Sequence, residues 1–274
     1  MIATRRTSPV HFVVLVVPLI FAVGCATVRS PLELPEPEPQ ASSLLLISHG
    51  YGNNPSHWPA RLIAQIREYG VDDGWQLYAH DWSENSLRAL SASRAGYRIG
   101  RHFGRVLADH HDYEVIHLLG HSLGAFVMQG LVDAYRHAGG TATIQMTFLD
   151  PFLLRGWFGI GWGVRNFGRG ADFAENYVVI GDRVRATNRY LRRAHNFDIT
   201  GLVPEAMWED QWGAHWWGVE FYRQSVAAEH PGFSLAPAAA AAAVAPAPAI
   251  PDHDAFSRGG VTRLTRRADG SVDW

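Results

Sequence analysis

Short, largely apolar runs recur along the chain: Leu44-Leu45-Leu46-Ile47, Val115 to Leu119 and Thr143 to Leu149. Each is too short for a buried helix, and the stretches between them are long enough to hold one. Ser56 to Tyr69 reads as an amphipathic helix with a stripe of Trp58, Leu62, Ile63 and Ile66. Leu87 to Asp109, Leu123 to His137 and Val219 to Val226 read as further helices, and Gln76 to Ala79 and Tyr177 to Ile180 as further strands. Strands separated by helices in this rhythm imply an α/β domain, with a mostly parallel central sheet and helices on both faces. The 274 residues, 47 % of them hydrophobic, suffice for one large domain of this kind. A formal net charge of -2 gives no sign of a polyanion-binding surface, and one cysteine excludes an intrachain disulfide framework.

The two ends differ from the middle. Arg5 and Arg6 precede an apolar segment, Val10 to Val23, of signal-peptide length. It closes on Ala22-Val23-Gly24-Cys25, which resembles the lipobox of bacterial lipoproteins, although that pattern prefers Leu where Ala22 stands. The resemblance implies removal of residues 1–24, acylation of the Cys25 sulfur and a membrane anchor in the bacterial cell envelope. The alternative is an ordinary cleaved signal and a soluble secreted or periplasmic protein. Residues 25–41 carry Pro31, Pro35, Pro37 and Pro39 and read as an extended spacer. Residues 232–274, an Ala/Pro tract with a polar tail, read as linker and disordered tail, which leaves 42–231 as the globular body.

Within that body, Gly120-His121-Ser122-Leu123-Gly124 fits G-x-S-x-G, with an apolar strand before it and a helix-forming stretch after it. A serine at a tight strand-to-helix turn needs small neighbours, and the turn leaves its hydroxyl exposed beside the N–H groups of the following helix. Serine is a weak nucleophile until a base takes its proton and an acid orients that base. Downstream histidines are His137, His195, His215, His230 and His253. His215, in Gly213-Ala214-His215-Trp216-Trp217, is placed on a loop before the last helix, from which it can reach back over the sheet edge; His195 is the runner-up. Asp150, Asp182 and Asp198 are all candidates for the acid, and position alone does not decide among them.

The segments Ile47-Ser48-His49-Gly50-Tyr51, Tyr78-Ala79-His80-Asp81-Trp82, Gly120 to Ala125, Phe148-Leu149-Asp150-Pro151 and His215 with Phe221-Tyr222 and Ser225 occur in this order. Together they resemble the lipase superfamily of α/β hydrolases, particularly its pancreatic-lipase-like branch and bacterial relatives. The resemblance covers about Leu44 to Ser225 and favours Asp150 over Asp182, because the branch carries its acid after the strand next to the nucleophile strand. It also implies backbone N–H donors at Tyr51 and Leu123 for an oxyanion, and carboxylic-ester hydrolysis by Ser122, Asp150 and His215 with no metal or organic cofactor. The expected substrate is an acyl ester or lipid. A phospholipase or acyltransferase with the same triad is an alternative, as is an inactive envelope lipoprotein of the same fold. The animal lipases' cysteines have no counterpart in this sequence, and a lipid-binding second domain is not expected from its tail.

Other residues carry less. Phe152 to Gly163 mixes large aromatics with glycine and reads equally as an apolar flap or as a loop packed into the core. Of Trp208, Trp212, Trp216 and Trp217, at least two are expected in the core. His117 and His121 read as one structural and one loop histidine in preference to a metal pair. His49 is expected to serve its turn by packing or hydrogen bonding.

Overall fold

The structure is a computed structural model that describes residues 33–69, 74–87, 91–156, 159, 161–227, 258–268 and 272–273. The signal-like segment, Cys25 and the Ala/Pro tract lie outside the described residues. Among the described residues, no helix is long and apolar enough to cross a membrane.

The apolar runs form the centre of a seven-stranded parallel sheet. Its strands are β1 (Ser43–Ser48), β2 (Trp75–His80), β3 (Val115–His121), β4 (Thr143–Leu149), β5 (Phe173–Val178), β6 (His195–Asp198) and β7 (Val261–Arg263), in the order β2-β1-β3-β4-β5-β6-β7. Strand β1 is buried at every position because both of its faces are covered. Leu44 and Leu46 face a core shared with Ile116, Leu118, Ile144, Met146 and Phe148. Leu45 and Ile47 face the opposite core with Leu119, Leu149 and Tyr177.

Helices α3 (Ala92–His110) and α4 (Ala125–His137) cover the first face. Helices α1 (Trp58–Glu68) and α7 (Gly213–Ala227) cover the second. Helices α2 (Ser83–Ser86), α5 (Trp162–Asn166) and α6 (Glu205–Glu209) are short connections. A two-stranded antiparallel ribbon, β8 (Thr265–Arg266) with β9 (Val272–Asp273), completes the elements. α3 and α4 approach closely because glycines sit at their crossing. A Cβ at Gly100 or Gly104 would collide with the carbonyl oxygen of Val127 or Leu131, respectively.

Several elements depart from the sequence expectations. The expected helix Leu87–Asp109 begins later, as α3 at Ala92, and Leu87 is instead the exposed residue that caps the short α2 before it. The fifth strand lies further towards the N-terminus than Tyr177–Ile180. β6 and β7 were not foreseen, since His195-Asn196-Phe197-Asp198 is mostly polar and β7 is a three-residue edge strand. The tail is therefore not wholly a disordered appendage, because part of it extends the sheet. The spacer also differs from a free strut. Gln76 Nε2 donates to the Glu36 carbonyl at 2.9 Å, the Glu38 N–H donates to Gln76 Oε1 at 3.1 Å, and Leu34 packs against the core.

One buried acid makes the fold pH-sensitive. Glu175 on β5 accepts hydrogen bonds from Thr147 Oγ1 at 2.6 Å and the Tyr177 hydroxyl at 3.3 Å. Burial outweighs these and raises its pKa from 4.5 to about 7. The folded state then keeps a proton that the unfolded chain releases, so this contribution to stability is fully present below pH 4.5 and falls until about pH 7. A shift of this size corresponds to roughly 3 kcal/mol. Glu175→Gln is expected to remove that loss. Urea denaturation at pH 4.5 and pH 8 should show the variant gaining on the native chain at the higher pH, whereas parallel behaviour would contradict this assignment.

Candidate active site

Ser122 stands where β3 ends and a single 3-10 turn, Ser122–Gly124, leads into α4. Its backbone has φ 53°, a conformation that costs a non-glycine residue about 1–3 kcal/mol and is kept only where packing enforces it. Here the packing is explicit. A Cβ at Gly124 would run into the Ser48 carbonyl, one at Gly120 into the Met128 sulfur, and one at Gly50 would lie 2.9 Å from the Ser122 Cβ. The three glycines let β1, β3 and α4 converge on the serine. The Phe152 N–H donates to the Ser122 carbonyl at 3.0 Å and ties the loop after β4 to the turn.

Ser122 and His215 line one cavity of about 590 Å³, together with Tyr51, Leu123, Phe152 and Trp216. Both residues expected to offer oxyanion N–H groups, Tyr51 and Leu123, are thus at the cavity. His215 lies in the first turn of α7, which begins at Gly213, so the expectation that it sits on a loop before the helix is corrected. Its Nδ1 is 2.5 Å from Asp150 Oδ2 and 3.4 Å from Asp182 Oδ2.

Asp150 directly follows β4 with φ 45°, its carboxylate held by the Val179 N–H at 3.2 Å and its own N–H by the Tyr177 carbonyl at 2.8 Å. Asp182 follows β5 on a loop closed by Asn188. Asn188 Oδ1 accepts from the N–H groups of Gly181 and Asp182, and its amide donates to the Asp182 carbonyl. The two acids that the sequence offered as alternatives therefore meet at the same imidazole nitrogen. Asp198 is elsewhere, bound to Tyr190, Thr200 and Arg263. His195 pairs with Thr262 in the sheet, and His137 closes α4.

Electrostatics follow from this burial. For His215, burial disfavours the imidazolium, but hydrogen bonds and charges from Asp150 and then Asp182 outweigh it and raise the pKa from 6.5 to about 9. Asp150 is lifted by burial, drawn back by His215 and lifted again by Asp182. The ligating atoms of Asp150, Asp182 and His215 lie within 4.8 Å of one another, a spacing that could close around a cation.

His121, read from the sequence only as a structural or loop histidine, is a wall of the site. Its ring lies 4.7 Å from that of His215 and stacks on Trp216 at 4.6 Å, and its Nε2 is 3.2 Å from the His215 carbonyl oxygen. Adjacency to Ser122 was the available signal. Burial and the charge of His215 press its pKa well down, so it is a neutral ring. His117 instead bonds Thr147 within the sheet. His49 serves its turn through a 3.0 Å contact of Nδ1 with the Gly50 carbonyl, and its own carbonyl accepts from the Trp82 indole at 2.9 Å. Trp212 and Trp216 line the cavity, whereas Trp217 is core. Of the aromatic-glycine segment, Phe152 reaches the cavity, Trp162 packs on Phe126 and Phe167, and Trp157 and Phe158 lie outside the described residues.

A parallel sheet in this strand order, with a strained serine between its third strand and the following helix and acids at the ends of later strands, is the α/β-hydrolase fold. No family model and no curated protein matches the chain. Among solved structures it is similar to a lipase-esterase related protein of Clostridium acetobutylicum, at 14 % identity and TM-score 0.28 over 42 % of this chain and 44 % of that one. It is also similar to a Lactobacillus plantarum protein assigned as a cell surface hydrolase, at 10 % identity and TM-score 0.37 over 53 % and 69 %. A Xanthomonas campestris protein assigned to the α/β hydrolase superfamily aligns at 12 % identity and TM-score 0.36 over 66 % and 98 %. The chain thus spans less than half the length of the first of these. The fold class rests on the strand order and the turn at Ser122.

Proposed function

We propose that the protein is a serine hydrolase of carboxylic esters, in which Ser122 attacks, His215 carries the proton and Asp150 orients His215. The observation that supports this most is a serine held at positive φ in a cavity that also contains a histidine clamped by a buried carboxylate. In the first step His215 Nε2 accepts the Ser122 hydroxyl proton as Oγ bonds to the ester carbonyl carbon. The carbonyl oxygen becomes an oxyanion facing the N–H groups of Tyr51 and Leu123. The imidazolium, steadied by Asp150, then protonates the departing alkoxide and leaves an acyl-enzyme. Water, deprotonated by His215, releases the acid and restores the serine. We further propose that Cys25 is acylated and holds this domain at a membrane of the cell envelope.

The cavity's aromatic and aliphatic lining, from Phe152, Val184 and Trp216, suits an acyl chain. A series of p-nitrophenyl esters of increasing chain length tests the proposal. Turnover that depends on Ser122 supports it, and no turnover of any ester by folded protein contradicts it.

The raised His215 pKa sets the pH dependence. The base must be neutral to work, so the acid limb of kcat/KM is expected above pH 6.5, and activity should keep rising into the alkaline range. Asp182→Asn removes one of the carboxylates that favour the imidazolium and should move that limb to lower pH. A pH–rate profile that is unchanged in the variant would show that Asp182 does not act on His215.

A further inference from the structure

A second cleft, of about 310 Å³, is lined by Arg94, Arg98 and Arg155. Arg94 and Arg98 stand one turn apart on the exposed side of α3, and Arg101 continues the row. Arg155 comes from the loop after β4 and is held in place. Its guanidinium lies 4.1 Å from the Tyr97 ring centre and 4.6 Å from that of Trp162. The next residue, Gly156, donates its N–H to Ser93 Oγ at 3.1 Å, and a Cβ there would lie 3.0 Å from Arg94 Nε. The loop backbone is thus fitted against the base of the arginine row.

Burial, together with the charges of Arg94 and Arg101, disfavours the Arg155 cation, against smaller support from Tyr97 and Asp133. Asp133 is already engaged by Arg169 at 2.7 Å, the Tyr97 hydroxyl at 2.6 Å and Gln129 at 2.9 Å. Forked guanidinium groups lining one cleft suit the oxygens of a phosphate.

One loop links the cleft to the catalytic cavity. Phe152 lines that cavity and bonds the Ser122 carbonyl, and Arg155 follows three residues later. At 3.8 Å per residue their Cα atoms are at most about 11 Å apart. An ester bound with its carbonyl at Ser122 and a phosphate a few bonds away along its alcohol portion would direct that phosphate towards the arginines.

We propose that the Arg94–Arg98–Arg155 cleft binds the phosphate of the substrate's head group, so that the preferred substrates are acyl esters of glycerophosphate type. This inference rests on the ester-hydrolase reading above and narrows it.

The test compares the native protein with an Arg94→Gln/Arg98→Gln double variant, whose exposed positions spare the core. Substrates are dihexanoyl phosphatidylglycerol and the neutral dihexanoylglycerol, at concentrations below micelle formation. The expected result is a fall of about tenfold or more in kcat/KM for the phospholipid, with little change for the neutral ester and unchanged fluorophosphonate labelling. Equal effects on both esters, or none on either, would overturn the proposal. Calorimetry with inorganic phosphate provides a readout that does not need turnover. Binding by the native chain that is lost in the variant supports the cleft even if the ester-hydrolase reading fails. Equal binding by both overturns it. Phosphate binding lost in the variant without any change in ester preference would assign the cleft to free phosphate and overturn the head-group assignment.

Discussion

Replacing His215 with alanine is expected to lower kcat on an activated ester by about 10⁴- to 10⁶-fold, because removal of the base from a working triad costs nearly as much as removal of the whole triad. Substrate binding should change little, since the cavity walls from Tyr51, Phe152 and Trp212 remain. The substitution also leaves Asp150 and Asp182, both buried, without the imidazole between them. Stability at neutral pH is therefore expected to fall by about 3 kcal/mol, the order found when one member of a buried ion pair is removed. The loss should shrink near pH 5, where the raised pKa of Asp150 lets that carboxylate take a proton. Steady-state kinetics alongside denaturation at the two pH values separates the catalytic effect from the structural one. A His215→Ala protein with near-native kcat would eliminate His215 as the base.

The second large effect concerns the acids, and here the expectation is asymmetric. A lone orienting acid, once replaced by its amide, typically costs about 10⁴ in kcat because the histidine is held in the wrong tautomer. In this protein Asp182 stands 3.4 Å from the same nitrogen that Asp150 touches at 2.5 Å. Asp150→Asn should therefore cost less, on the order of 10²-fold, because Asp182 can accept the hydrogen bond from Nδ1–H in its place. Asparagine suits the backbone there, since it tolerates the positive φ that Asp150 adopts. Asp182→Asn alone should change kcat by less than about tenfold, and the double variant should show the full loss of about 10⁴. The diagnostic quantity is the non-additivity of the two changes. Strict additivity would mean that the carboxylates act separately and that Asp182 is only a structural neighbour.

Why both acids are present was legible only in part. Asp150 and Asp182 each follow an apolar strand, and that alone placed them at the same sheet edge. Which one reaches His215 depends on the side-chain direction at the end of each strand and on the Asn188-closed loop, neither of which leaves a periodic trace. The centre of the sheet was readable because β1 and β3 are buried on both faces and mostly apolar, and β4 carries Ile144, Met146 and Phe148 at alternate positions before Leu149. At the margins this signal fails. β6 buries His195 and Asn196 by pairing them with Thr262, Asn176 and main-chain carbonyls, so its sequence looks like a loop. β7 is too short and too exposed to show alternation.

His215 illustrates a subtler limit. Its role was inferred from its place before a terminal helix, yet Gly213 begins that helix two residues earlier. The first turn of α7 carries the histidine to Asp150, and a helical position fixes it more firmly than a loop would. His121 was read only as a structural or loop histidine because a histidine inside the G-x-S-x-G pattern has no fixed role. Only the stacked rings of His121 and Trp216 reveal it as part of the wall behind His215.

The most direct test of the central claim is covalent labelling of the purified protein with a fluorophosphonate probe, followed by mass mapping of the modified peptide. An activated serine at the end of β3 predicts one phosphonate adduct on Ser122, abolished by Ser122→Ala and by His215→Ala in variants that retain the native fold. Folded native protein that takes up no label, or takes it up on a residue other than Ser122, would contradict the assignment of this site as a serine nucleophile with its base.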